Sequence, residues 1–534
     1  MYTDMRQFFS RFKKGDIFIL LFSIFSIVFL TYFPLLYAYL SAPRWTIFSG
    51  EASFFEPVDT NLYVSAVHYG QWGGLLLPNL YTSLPNSPVL MYPFLTAIGF
   101  IFKFINPFLL FYVSGLVAVI LLISGLVFII NQLGFSLKIS VLSAVGICLG
   151  GGFGFINFSS IVPADMTYLH PTFFITLQKP HEAIAVLAYI FSLVYFYFYI
   201  LKRKKFRVKN VLPILIPLVL SVFTYPFFAV SFFLISGIFL LLQRKWAPTK
   251  QDILLFVILL IFSGVVVGIM SLQFIANPTF INVSTNIRVD IVSEILGFGM
   301  LIPIFIVQLF WLPKSPLKSF LAIWFFVIFI LIILPIGPGA VFSRGSFFPI
   351  VLLAIMVIKK LQEKVIPIIG YVLFFSFFLL LIATSFRIFY IRMTYNYASN
   401  PFIDIPIEQF GIFTFLEKST PPKSSVLALY MTGNQIPAFT RNTVYMGHGL
   451  QTPNAISKLT EEQTFYRGEY SLSEARNFLL KNNISYVVWG IEEKSYYQTN
   501  AKIENHLKEI FSRMHIVYLR NGIAVFSVDK KRLQ

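Results

Sequence analysis

Between residues 17 and 386 the chain is a succession of apolar runs, near 17–40, 107–131, 137–153, 181–201, 210–243, 252–273, 291–311, 319–337, 346–358 and 365–386. A helix needs about 20 apolar residues to cross the hydrocarbon core of a bilayer, where only helices and closed barrels satisfy their own backbone. Runs of this kind, in a chain of 534 residues that is 57% hydrophobic and 12% charged, exclude an ordinary soluble protein. The run 210–243 is too long for one crossing and carries Tyr225 and Pro226 at its centre, so it divides there into two helices. The expectation is a mainly α, polytopic transmembrane helical bundle of about eleven spans. The first run has no small-residue cleavage site after it and reads as a retained anchor.

The distribution of charge sets the orientation. Net charge is +18, but the basic residues form no single accessible face, which argues against nucleic acid. With the N-terminus cytoplasmic, 19 of the 24 Lys and Arg before residue 387 fall on the cytoplasmic side, as the positive-inside rule requires. This holds only if the apolar stretch 87–105 does not cross. With Pro93 and Lys103 inside it, that stretch reads as an interfacial or re-entrant helix. Four external segments result: 41–106, 154–180, 274–290 and everything after 387. Seven of the eleven Asp and Glu before residue 387 lie in or beside the first three. The single cysteine, Cys148, sits in an apolar run and supports neither a disulfide framework nor a cysteine metal cluster.

Beyond the last apolar run the composition becomes that of a soluble domain, with 17 basic and 12 acidic residues after 386. Strand-like runs at 425–430 and 484–490, a helical pattern at 473–482 and a hairpin signal at Asn521 and Gly522 predict a small external α/β domain. The division expected is a membrane domain over 1–390, with 41–106 as its first external loop, and a soluble domain over 391–534.

The chain carries no phosphate-binding loop, dinucleotide fingerprint, zinc-ligand spacing or nucleophile elbow. The glycines of GGGFGF (150–155) lack a following Lys and suit close packing. In the first external loop, Glu56 and Asp59 bracket Pro57 and Val58 ahead of Tyr63 and His68. A carboxylate held at the membrane surface can take a proton from an acceptor hydroxyl. Equally, Asp59 can serve only as the cap of a helix starting at Thr60. In the tail, NQIPAFTRNTVYMGHGLQTPN (434–454) brings Arg441 and His448 to a polar surface suited to acceptor binding, a lid or a plain loop.

A cytoplasmic N-terminus, a long acidic first external loop, the PVLMYP stretch (88–93), many spans and an external C-terminal domain together resemble the GT-C superfamily of membrane glycosyltransferases. The likeness is greatest to prokaryotic relatives of the protein mannosyltransferases and aminoarabinose transferases, and covers residues 1 to about 390. It implies a sugar donor linked to polyprenyl phosphate in the membrane lipid, and an acceptor that is a glycan, lipid or protein, with inversion at the sugar. By position, the family's first-loop acid matches Asp59, with Glu56 beside it, and its second acid matches Asp165. Some members use Mg or Mn, which Asp59 and Asp165 would hold. Arg344, Lys179, His181 and Arg288 become candidates for the donor phosphate, since cations suit that group. Interfacial snorkelling for Arg344, a helix-start role for His181 and an Arg288–Asp290 pair are the plain alternatives. Tyr63 and His68 are candidate substrate-binding groups, or members of an interfacial aromatic belt. A secondary transporter or flippase for a lipid-linked or small polar substrate is the rival reading, weakened by the scarcity of mid-membrane carboxylates.

Overall fold

The computed structural model describes residues 14–49, 57–167, 177–202, 206–277, 279, 290–334, 339–395, 400–497 and 501–529. The chain divides into two compact units, one of Met1–Pro34, Tyr112–Ile269 and Thr285–Thr394, the other of Leu35–Phe111, Met270–Ser284 and Tyr395–Gln534.

Helices dominate, in the order α1 (Lys14–Ser41), α2 (Pro57–Gln71), α3 (Pro93–Ile101), α4 (Pro107–Gln132), α5 (Leu137–Leu149), α6 (Pro180–Leu201), α7 (Val208–Thr224), α8 (Phe227–Gln243) and α9 (Lys250–Ala276). They continue as α10 (Ile291–Phe298), α11 (Leu301–Trp311), α12 (Pro316–Ile333), α13 (Phe347–Gln362) and α14 (Pro367–Thr394). Among the described residues six are long and apolar enough to cross a bilayer: α1, α4, α6, α9, α12 and α14. This makes the chain a multi-pass membrane protein. The pair α10 and α11 adds a seventh span if counted as one, but it bends by 73° at Gly299, whose φ of +54° no regular helix accommodates. The other apolar runs give shorter helices: α5 has 13 residues and α7 and α8 have 17 each. At 1.5 Å per residue, 13 residues reach only about 20 Å of a core about 30 Å thick.

The break expected at Tyr225 and Pro226 falls there: α7 ends at Thr224, Tyr225 is extended, and α8 starts at Phe227. The stretch 87–105 contributes only the nine-residue α3, too short to span. In the first unit, α6, α8, α12 and α13 enclose an aromatic core in which Tyr189 stacks on Phe228 at 4.4 Å and Trp324 packs on Phe348 at 5.1 Å.

In the second unit α2 and α3 cross with backbone touching backbone. A Cβ on Gly99 would lie 2.0 Å from the Val67 carbonyl oxygen, so only glycine permits the crossing. Strand β1 (Thr46–Phe48), just after α1, pairs antiparallel with β2 (Asp404–Pro406), just after the last apolar helix. Beyond β2 come α15 (Ile407–Ser419), β3 (Ser425–Leu427), α16 (Tyr430–Phe439), β4 (Thr443–Val444), α17 (Ala455–Tyr466), α18 (Leu472–Lys481), β5 (Tyr486–Trp489), α19 (Ile491–Tyr497), α20 (Ala501–Ser512), β6 (His515–Arg520) and β7 (Ile523–Ser527). Their five-stranded sheet runs β4-β3-β5-β7-β6, with β3 parallel to β4 and β5 and the rest antiparallel. Asn521 and Gly522, at φ +49° and +73°, make the two-residue hairpin expected of that pair. Ser471 and Glu474 close a capping box on α18. A core of Leu427, Tyr445, Phe465, Phe478, Val487 and Phe526 lies against the sheet.

Candidate active site

Helix α2 presents the acidic candidate. Leu62, Tyr63, Val64, Ala66 and Val67 are all buried, whereas the Asp59 side chain in the first turn keeps 28% of its surface exposed. The helix already includes Pro57 and Val58, so Asp59 lies within the first turn and is not the cap of a helix starting at Thr60. A carboxylate at this end is favoured by the helix dipole. Asp59 Oδ1 lies 3.0 Å from His448 Nε2. The His448 ring is buried, and its Nδ1 accepts the backbone N–H groups of Leu450 and Gln451, both at 3.2 Å. Helix α16 docks on the same end of α2: Asn61 donates to Asn434 Oδ1 at 2.8 Å, and Asn434 donates to the Val58 carbonyl at 3.2 Å.

Tyr63 and His68, on the same helix, are packed among aromatic rings. Tyr63 meets Tyr92 edge-on at 5.2 Å and stacks on Phe111 at 6.2 Å, and His68 meets Trp72 at 5.0 Å. Desolvation, reinforced by the Arg441 charge, pushes His68 down to about 4, so its imidazole is uncharged at neutral pH.

In the other unit, Asp165 sits in a short turn (Ala164–Met166) and is fully buried. Its Oδ2 accepts the backbone N–H groups of Gly152 (2.7 Å) and Gly154 (3.1 Å). Burial raises its pKa against the lowering effect of these bonds. The glycine run serves the close packing expected of it. A Cβ on Gly152 would lie 2.2 Å from the Leu296 carbonyl oxygen, so the loop after α5 fits directly against α10.

The cationic candidates gather on Glu182, in the first turn of α6. Arg344 Nε and Nη2 donate to the two Glu182 oxygens at 3.1 and 3.0 Å, Lys179 Nζ stands 3.8 Å away, and the Tyr225 hydroxyl donates to Oε1. The guanidinium lies 4.6 Å over the Tyr225 ring, which His181 stacks against at 6.5 Å. Glu182 is buried and the Arg344 side chain is 15% exposed. Two cations thus share one carboxylate, and the break between α7 and α8 supplies the tyrosine that orients the pair.

Glu56 and Arg288 lie outside the described residues. Among the described residues no three His, Cys, Asp or Glu side chains are placed to hold a metal ion. Asp165 Oδ2 is engaged by the two N–H groups, whereas its Oδ1 is buried with no hydrogen-bond partner. Sequence reasoning missed Glu182 and Tyr225 as members of this cluster, although both stand beside residues it named. It saw His448 without its partner, for no local pattern links positions 389 apart.

No protein-family model matches the chain, and no curated protein matches it in sequence. Solved structures do. The oligosaccharyltransferase of Archaeoglobus fulgidus, tethered to an acceptor peptide, superposes with a TM-score of 0.57 at 14% identity, over 97% of this chain and 75% of that one. The same organism's AglB, in complex with an inhibitory peptide and a dolichol-phosphate, gives 0.56 at 12% identity over 97% and 74%. ArnT from Cupriavidus metallidurans in the apo state gives 0.50 at 12% identity, over 95% of this chain and 98% of that one. At such identities the likeness is one of fold.

Proposed function

We propose, from the premise that this chain is a multi-pass membrane protein with the GT-C fold, that it is a glycosyltransferase moving a sugar from a polyprenyl-phosphate-linked donor to an external acceptor with inversion. The observation that carries the reading is the part-exposed, hydrogen-bonded carboxylate of Asp59 at the head of a helix whose residues Thr60–Val67 are all buried. The acceptor oxygen attacks the anomeric carbon from the face opposite the leaving group. As the new C–O bond forms, Asp59 takes the hydroxyl proton, and the bond from the anomeric carbon to the phosphate oxygen breaks, leaving its electron pair on the phosphate. Arg344, Lys179, His181 and Arg288 are assigned to that phosphate, because fixed positive charge aimed at a departing oxyanion lowers the barrier. Glu182 keeps the Arg344 fork in one orientation. Asp165 holds the glycine loop in shape, and Tyr63 and His68 wall the Asp59 side of the substrate site. In this reading the N-terminus is cytoplasmic, the acceptor is a glycan, lipid or protein, and the segment 391–534 acts as an external domain.

The test is release of free polyprenyl phosphate from a panel of lipid-linked sugars by the purified protein in lipid nanodiscs. Release is expected from the wild type and to fall at least about a hundredfold in Asp59→Asn, and a chelator added in parallel reads out any dependence on a divalent ion. Transport of an intact donor or solute without release would replace the transferase reading with a transporter.

A further inference from the structure

The geometry points to His448 as a positioning residue for Asp59, held in the one tautomer that can donate to that carboxylate; this rests on the reading of Asp59 as the base. Nδ1 receives two backbone N–H groups, from Leu450 and Gln451. A proton on Nδ1 would point at both, so the ring hydrogen resides on Nε2. Nε2 is the atom 3.0 Å from Asp59 Oδ1, and the bond therefore runs from His448 N–H to the carboxylate.

The ring has little freedom to do otherwise. His448 is 2% exposed, and the Tyr81 ring lies 5.4 Å from it. Its own backbone is tied in a closed loop: the Thr452 N–H donates to the His448 carbonyl at 2.9 Å, and the His448 N–H donates to Thr452 Oγ1 at 3.2 Å. Next to it, Gly447 meets Gly433 of α16 so closely that a Cβ on Gly447 would lie 2.5 Å from the Gly433 carbonyl carbon. The tail therefore presents a fixed donor to a first-loop acid 389 positions earlier in the chain. A carboxylate anchored through one oxygen no longer rotates freely, so it meets the acceptor hydroxyl in a set direction.

The test compares full-length wild type, His448→Ala, His448→Gln, Asp59→Asn and the double variant His448→Ala with Asp59→Asn, using phosphate release in nanodiscs and ¹⁵N spectra of histidine-labelled protein. His448→Ala is expected to lower kcat about tenfold or more, the worth of one hydrogen bond to a charged group, and to leave KM for the lipid donor unchanged. His448→Gln, whose amide N–H can stand where Nε2–H stood, recovers part of the loss. His448→Ala adds nothing in the Asp59→Asn background. The spectra are expected to show Nδ1 without and Nε2 with a proton. A protonated Nδ1 overturns the proposal, as does full kcat in His448→Ala and His448→Gln beside an inactive Asp59→Asn. If Asp59→Asn is itself fully active, the reading of the base fails, and the ¹⁵N result still decides the tautomer. Thermal melting of each variant separates a folding defect from a positioning one, since His448→Gln keeps the side-chain volume.

Discussion

Removing either partner of the Glu182–Arg344 pair should destabilise the protein far more than removing both. The two groups share a bidentate contact at 3.0 and 3.1 Å, with the carboxylate side chain 3% and the guanidinium side chain 15% exposed. Breaking a pair buried to this degree strands an uncompensated charge at a cost of about 3–5 kcal/mol, whereas replacing both with apolar groups of like volume is often neutral. Arg344→Met leaves Glu182 with Lys179 at 3.8 Å and the Tyr225 hydroxyl as its remaining neighbours named above, which places the loss near the lower end, about 3 kcal/mol. Glu182→Leu, which takes the carboxylate from both Arg344 and Lys179, should cost more, toward about 5 kcal/mol, and the double variant should recover most but not all of that loss, since Lys179 still loses Glu182. The difference is a coupling energy, read from a double-mutant cycle by denaturant unfolding in detergent micelles. Single variants that each cost under about 1 kcal/mol and add without coupling would refute the buried-pair argument.

Two further outcomes follow from the fold. In the second unit Glu462 and Glu493 are buried and Glu492 beside them is half-buried, and desolvation, with mutual repulsion at Glu462 and Glu493, raises the pKa of all three. The folded form then keeps protons that the unfolded chain gives up, so stability should fall as pH rises from the ordinary carboxylate range through the raised values; Glu493→Gln should flatten that slope in melting curves taken across pH. Gly152→Ala should cost about 1–3 kcal/mol, because its Cβ would meet the Leu296 carbonyl oxygen at 2.2 Å, and a melting point equal to the wild type's would contradict the close packing of that loop.

Features written locally in the chain were legible. The divided run at Tyr225 and Pro226, the hairpin at Asn521 and Gly522 and the short α3 each depend on residues within one turn or strand of one another. The span count was harder, because apolar length alone does not reveal a bend such as that between α10 and α11, or a 13-residue helix such as α5. Residue type marked Arg344 and Lys179 as cations but not Glu182 as the carboxylate that gathers them, since a salt bridge 162 positions apart leaves no periodicity. For Asp59 the sequence left cap and base open, and only the burial of residues 60–67 of α2 and the contact with His448 distinguish its surroundings.

The pairing of β1 with β2 also bears on how the protein is made. Thr46–Phe48 emerges from the ribosome directly after the first helix, yet its partner Asp404–Pro406 follows the last apolar one. Throughout the insertion of the helices between them, the early strand has an open edge and Asp59 has no His448. A nascent chain interrupted anywhere in that interval holds neither contact, so assembly of this acid's surroundings is a late event of biosynthesis, timed by synthesis of the tail.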